Sequence, residues 1–234
     1  MKTETKMLGI GMTERNVPKV MSGAKTQTRR IIKIKRSSDC PEEIPDDAIS
    51  DEILEWRLQD GVWFGLHEYR TLATFSGAYK VGDRLYVKEA LKKYEDVFDE
   101  PVAKYKSDNE FVEAGSNAAS DNGHRVWMSD DGKPWKPRVI PARYMPRSAA
   151  RTFIEITDVR CERVQEIIHL DVLAEGCSFD ETDDGEMFRN QNHLYSFHRE
   201  KFKELWNDTN GKDAWERNDW VFAYTFELVG ETNG

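Results

Sequence analysis

Two stretches constrain the fold more than any other feature. Residues 151–164, RTFIEITDVRCERV, alternate apolar and polar side chains, and residues 219–229, DWVFAYTFELV, are rich in aromatic and β-branched residues. A period of two places successive side chains on opposite faces of a strand. The first reads as a core strand and the second as a closing strand. Between them, 165–176 (QEIIHLDVLAEG) has helical spacing and a terminal glycine, and Leu194–Trp206 reads as an amphipathic helix that Asn-Gly signals end.

Earlier in the chain, Val17–Ser22 reads as the end of a short helix, with Gly23 as its cap. TQTRRIIKIK then reads as a strand, GVWFGLHEYRTLATFS as one or two strands, YKVGDRLYVKEAL as a turn into a strand, and VAKYKS (102–107) as another. Residues 37–62 read as an acidic insertion holding a helix over 51–58. Residues 108–132 and 178–192 read as long polar insertions. Helices do not alternate regularly with strands, which disfavours a doubly wound parallel sheet. The pattern predicts an α+β fold: a small, mostly antiparallel β-barrel flanked by helices, as one domain over 1–234.

Composition narrows the setting. The chain has 234 residues, enough for a sizeable core, and its 7 Trp, 8 Tyr and 11 Phe argue for a folded chain. The mean hydropathy of −0.73 suits long polar loops. No apolar run approaches the roughly 20 residues that span a bilayer, and the first residues hold no stretch long enough for a signal peptide. Cys40, Cys161 and Cys177 are odd in number and irregular in spacing, which predicts free thiols, a reducing cytoplasm and no zinc motif. His193 and His198 are five apart, on different helix faces, so no metal site and no cofactor are expected.

Charge is distributed unevenly. The net charge is −9, yet residues 15–36 and 133–151 hold 14 of the 34 basic residues and no acidic one. Brought together, these strips would make an anion-friendly cleft. A net negative chain is poorly suited to coating duplex DNA, and a focused basic cleft fits a small or splayed-out ligand better.

GAKTQTRR (23–30), with GDRLYVKEA (82–90), MPRSAARTFIEITDVRCERVQEI followed by LAEG, and LWNDTNGKDAWERNDWVFAYTFEL, resembles in that order the blocks of the ASCH family, in its phage and prophage branch. The signature of that family is Gly-x-Lys-x-x-Glu-x-Arg. Gly23, Lys25 and Arg30 match it, and Thr28 stands where Glu is common. The resemblance implies a PUA-like barrel, a cleft containing the signature loop, and RNA, single-stranded nucleic acid or a nucleoside as ligand. It also implies a phage or prophage origin. Small bacterial members with Thr at the Glu position are amidohydrolases acting on N4-acetylcytidine, through a Lys, a Thr and a downstream Glu. Lys25 and Thr28 carry over directly, and Glu175 in LAEG is the nearest counterpart of the Glu.

The residues allow that chemistry. A threonine hydroxyl needs a base, and a neutral lysine can serve if its pKa, about 10.4 in water, falls towards neutrality. Burial and neighbouring cations push it down, whereas a charged Glu175 would oppose the shift. In an extended segment Lys25, Gln27 and Arg29 face one way and Thr26, Thr28 and Arg30 the other. Arg29 and Arg30 are candidates for phosphate contact or for pairing with the acidic insertion. Glu89 is a candidate cleft wall or a surface salt bridge. Arg147 and Arg151 are candidate phosphate contacts or packing residues, and Trp127 and Trp135 could stack on a base or anchor loops. Cys161 reads as buried and inert. The functional readings are a nucleic-acid or nucleoside binding module, an amidohydrolase on N4-acylated cytidines, a metal-independent ribonuclease, or a phage protein that binds a host factor.

Overall fold

A computed structural model describes residues 7–95, 101–112, 139–177 and 191–230. Trp127, Trp135, the side chain of His193 and most of the 108–132 and 178–192 insertions fall outside that set. The described elements run in the order β1 (Leu8–Gly11), α1 (Val17–Met21), β2 (Gln27–Ile31), β3 (Lys35–Arg36), α2 (Ile49–Glu52), β4 (Glu55–Gln59), β5 (Val62–His67) and β6 (Arg70–Ser76). There follow β7 (Arg84–Lys88), β8 (Leu91–Glu95), β9 (Pro101–Tyr105), β10 (Val139–Ile140), β11 (Phe153–Arg163), α3 (His169–Ala174), α4 (Gln191–Asn210) and β12 (Trp220–Val229). The class is α+β and mostly antiparallel: of the pairings, β1 with β7 is parallel. The described strands lie in open sheets, with no closed barrel among the described residues.

The chain divides into two compact units, each built from discontinuous segments. The first comprises residues 1–26, 82–156 and 226–234. Its strand order is β1-β7-β11, with a small sheet β10-β8-β9. Leu91, Tyr105, Ile140, Met145 and Ala149 form its core. Here α1 buries Val17 and Val20, and a proline in its first turn suits helix initiation. Gly23 ends it at φ +76°, its N–H donating to the Val20 carbonyl at 3.0 Å. Few residues other than glycine adopt that backbone cheaply. The next turn returns the Lys25 N–H to the Lys19 carbonyl at 2.9 Å.

The second unit comprises residues 27–81 and 157–225. It has three layers around the strands β11-β12-β2. Against one face pack α3 and α4, with Val164, Ile167, Val172, Phe202, Trp206, Trp215 and Val221 as core. Against the other lies the sheet β3-β6-β5-β4, built from the acidic insertion and the strands after it. Trp56 packs edge-on to Trp220 at 6.4 Å, and Trp63 and Phe75 each meet Phe222 at 5.3 Å. Removing such ring surface from water drives the layers together.

Three expectations change. The helix predicted over 51–58 is a single turn, α2, followed by strand β4. The helix over 165–176 begins only at His169, after a 3-10 turn at Val164–Glu166. The last helix is longer than predicted and runs through Asn210, where Gly211 takes φ +101°.

Candidate functional site

The signature segment enters strand β2, whose first three residues, Gln27, Thr28 and Arg29, are all buried. Pairing with β12 is in register: Thr28 opposes Tyr224, Arg29 opposes Ala223 and Arg30 opposes Phe222. Directly opposed residues share a face. One face of the strand therefore carries Gln27 and Arg29, and the other carries Thr28 and Arg30, as the alternation predicts.

On the first face, the Arg29 side chain is 0% exposed and every one of its five N–H donors is engaged. Nε and Nη2 donate to Glu162 Oε1 at 3.1 and 2.5 Å, Nη2 to Asp171 Oδ2 at 2.9 Å, and Nη1 to Glu175 Oε1 at 3.1 Å and Gln27 Oε1 at 2.6 Å. Arg160 completes the cluster, donating from Nη2 to both oxygens of Asp171 at 3.0 Å. Burial alone would raise the Asp171 carboxyl; Arg29 and Arg160 outweigh it and hold the group below its ordinary range. With its donors spent inside the protein, Arg29 has none left for a phosphate. It fixes Glu175, the residue that ends α3, in place. Of the expected site residues, Arg29 and Glu175 are thus brought into direct contact.

The second face is aromatic. Tyr224 and Phe222 flank Thr28 and Arg30 across the strand pair, and Tyr79 meets Tyr224 edge-on at 5.2 Å. Trp63 and Phe75 cover Phe222 and are half-buried, as is Tyr79. Thr28 is buried, whereas Arg30 keeps an accessible edge but is closely surrounded by protein: burial lowers its pKa, against the opposing pull of Tyr79, Glu175 and Tyr224. Burial pushes the Tyr224 hydroxyl well above its usual range, so it stays a neutral donor. Cys161 is half-buried rather than fully buried as expected, and burial raises its thiol.

The first unit holds a separate ion pair. Glu89 is 1% exposed and accepts from Arg151 Nε and Nη2, both at 2.9 Å. Ser107 Oγ donates to Glu89 Oε2 at 2.7 Å, Asp108 lies 2.8 Å from Arg151 Nη2, and the guanidinium stacks 3.6 Å from the Tyr105 ring centroid. Glu89 is therefore neither a surface salt bridge nor an open acceptor. Lys25 is buried in the same unit, while Thr28 and Glu175 belong to the other. Gly23 and Arg147 are exposed.

The basic strips are only partly available. Arg36 is committed to the insertion, donating to the carbonyls of Ile44 and Pro41 and to Asp46. Lys33 and Lys35 are exposed. Sequence reasoning overlooked Arg160, Glu162 and Asp171. The signal for Arg160 and Glu162 was present in charges two apart, at 158, 160 and 162, on the strand predicted to be core; none marked Asp171, on α3. No group of three or more His, Cys, Asp or Glu placed to hold a metal occurs among the described residues, and no described helix is long and apolar enough to cross a membrane.

No family model matches the chain, and no curated protein matches it. Among solved structures, the chain is similar to protein EF3133 from Enterococcus faecalis V583, which is described with the family model DUF984. The identity is 14%, the match covers 95% of this chain and 74% of that one, and the TM-score is 0.32, too low for the likeness to carry an argument about fold or activity.

Proposed function

We propose that this protein binds a nucleobase, as a modified nucleoside or as an unstacked base of single-stranded RNA, on the face of β2 that carries Thr28 and Arg30. The observation that carries the reading is the composition of that face. A buried hydroxyl and an exposed guanidinium sit opposite Tyr224 and Phe222, beside the half-buried rings of Trp63, Phe75 and Tyr79. Aromatic rings stack on any base, and each such contact is worth about 1–3 kcal/mol. The hydroxyl and the guanidinium add hydrogen bonds to a base edge or a phosphate. Calorimetric titration with cytidine, N4-acetylcytidine and a short single-stranded RNA tests this. Binding that Thr28→Val weakens supports the reading; binding that Thr28→Val leaves unchanged removes it.

A second reading, amide hydrolysis on an N4-acylated cytidine, is favoured by the burial of the Thr28 hydroxyl, 5% exposed. Thr28 would attack the acyl carbon and give up its proton, the bond from that carbon to N4 would break as the cytidine amine takes up a proton, and water would then release acetate from the acyl-enzyme. Incubation with N4-acetylcytidine followed by chromatography decides it. Cytidine released by the wild type but not by folded Thr28→Val protein is the expected result, and no release from either contradicts it.

A further inference from the structure

Outside the β2 face, the second unit contains a cavity of about 500 Å³ between α3 and α4. Ile167, Leu170 and Val172 give it an apolar lining, and His169, Tyr195 and Arg199 give it three polar groups. Tyr195 and Arg199 are one turn apart on α4, so they share a face.

The three polar groups have spare capacity. His169 Nδ1 lies 2.9 Å from His198 Nδ1, and the rings stack at 4.7 Å with 3° between their planes. Two ring nitrogens that close share one proton, so at least one ring is neutral. The Nε2 of His169 has no hydrogen-bond partner among the described residues. Tyr195 lies against the other side of His169 at 4.3 Å, is 42% exposed, and its hydroxyl likewise has no partner among the described residues. Arg199 reaches the Ile167 carbonyl at 3.4 Å and stacks over Trp215 at 5.1 Å, with no carboxylate partner among the described residues.

We infer that this cavity binds a monocarboxylate with a planar apolar body. One guanidinium balances one negative charge, and a planar carboxylate matches its two-pronged donors. The Tyr195 hydroxyl adds a neutral donor. The apolar body lies over Leu170 and Val172, in a pocket of ordinary ligand size. A phosphate dianion would leave one charge uncompensated in a chain already at −9. The inference is independent of the nucleobase reading.

The test is calorimetric titration with 4-methylbenzoate, its neutral isostere 4-methylbenzamide, and inorganic phosphate, on the full chain near neutral pH. The benzoate binds with a dissociation constant below about 1 mM. The amide and phosphate bind at least about tenfold more weakly. Arg199→Met loses about tenfold in benzoate affinity, Arg199→Lys loses less, and Tyr195→Phe loses the least. Melting curves establish that each variant is folded; should Arg199→Met fail, the lysine and Tyr195→Phe variants carry the test. Equal binding of benzoate and amide, phosphate binding in place of benzoate, or no binding below about 1 mM overturns the inference.

Discussion

The two faces of strand β2 put neighbouring arginines to opposite uses. Arg29 is fully enclosed, and its donors end on Glu162, Asp171, Glu175 and Gln27. Arg30, one residue on, is exposed beside aromatic rings. A strip of positive charge in a sequence is thus not one surface. The pleat sends alternate charges into different surroundings, one closed by carboxylates and one lined by aromatic rings. The Arg29 cluster is self-contained and points to architecture, whereas the Thr28 and Arg30 face is the one proposed to take a ligand.

The strongest way to break this contrast is to remove each arginine in turn. Arg29→Met strands three carboxylates, and urea denaturation is expected to show a loss of about 3–5 kcal/mol. Arg30→Met is expected to cost less, about 1 kcal/mol. Similar losses at both positions would refute the assignment of roles. In the first unit, Arg151→Met leaves Glu89 buried without its bidentate partner, and about 2 kcal/mol should be lost in the same assay. On the ligand face, Trp63→Ala should weaken nucleoside affinity by about tenfold, since one stacked ring contributes about 1–3 kcal/mol.

Acid sharpens the comparison further. The Asp171 carboxyl has a folded pKa below 3.8, so its contribution is present above that value and is lost as pH falls through the folded pKa. Asp171→Asn should flatten that part of the stability curve. The smallest effect belongs to His198, whose pKa is lowered by burial and by His169. Stability linked to its neutral form is complete above 6.5 and declines as pH drops below it, which His198→Phe should remove.

Much of the architecture is legible in the sequence because local pattern and burial agree. β11 and β12 follow from their alternation and apolar content, and α1 with Gly23 follows from its cap. The insertion was misread because β4 is an edge strand with only Trp56 half-buried, so no inward face shows in EWRLQ. Its signal was the Asp60-Gly61 pair, both at positive φ (50° and 78°), which is the signature of a two-residue hairpin turn. The site was half legible. Thr28 and Glu175 are buried polar residues of the second unit and Lys25 of the first, but the carboxylate partners of Arg29 lie more than 130 positions away and no local spacing announces them. The ring wall from Trp63 and Phe75 depends on sheet packing, which sequence period does not encode.

Calorimetric titration of N4-acetylcytidine into the wild type and Trp63→Ala proteins tests the central claim most directly. The account predicts saturable binding by the wild type, weakened about tenfold in the variant while both proteins melt as folded chains. No binding by the wild type, or equal affinity in the two proteins, would contradict it.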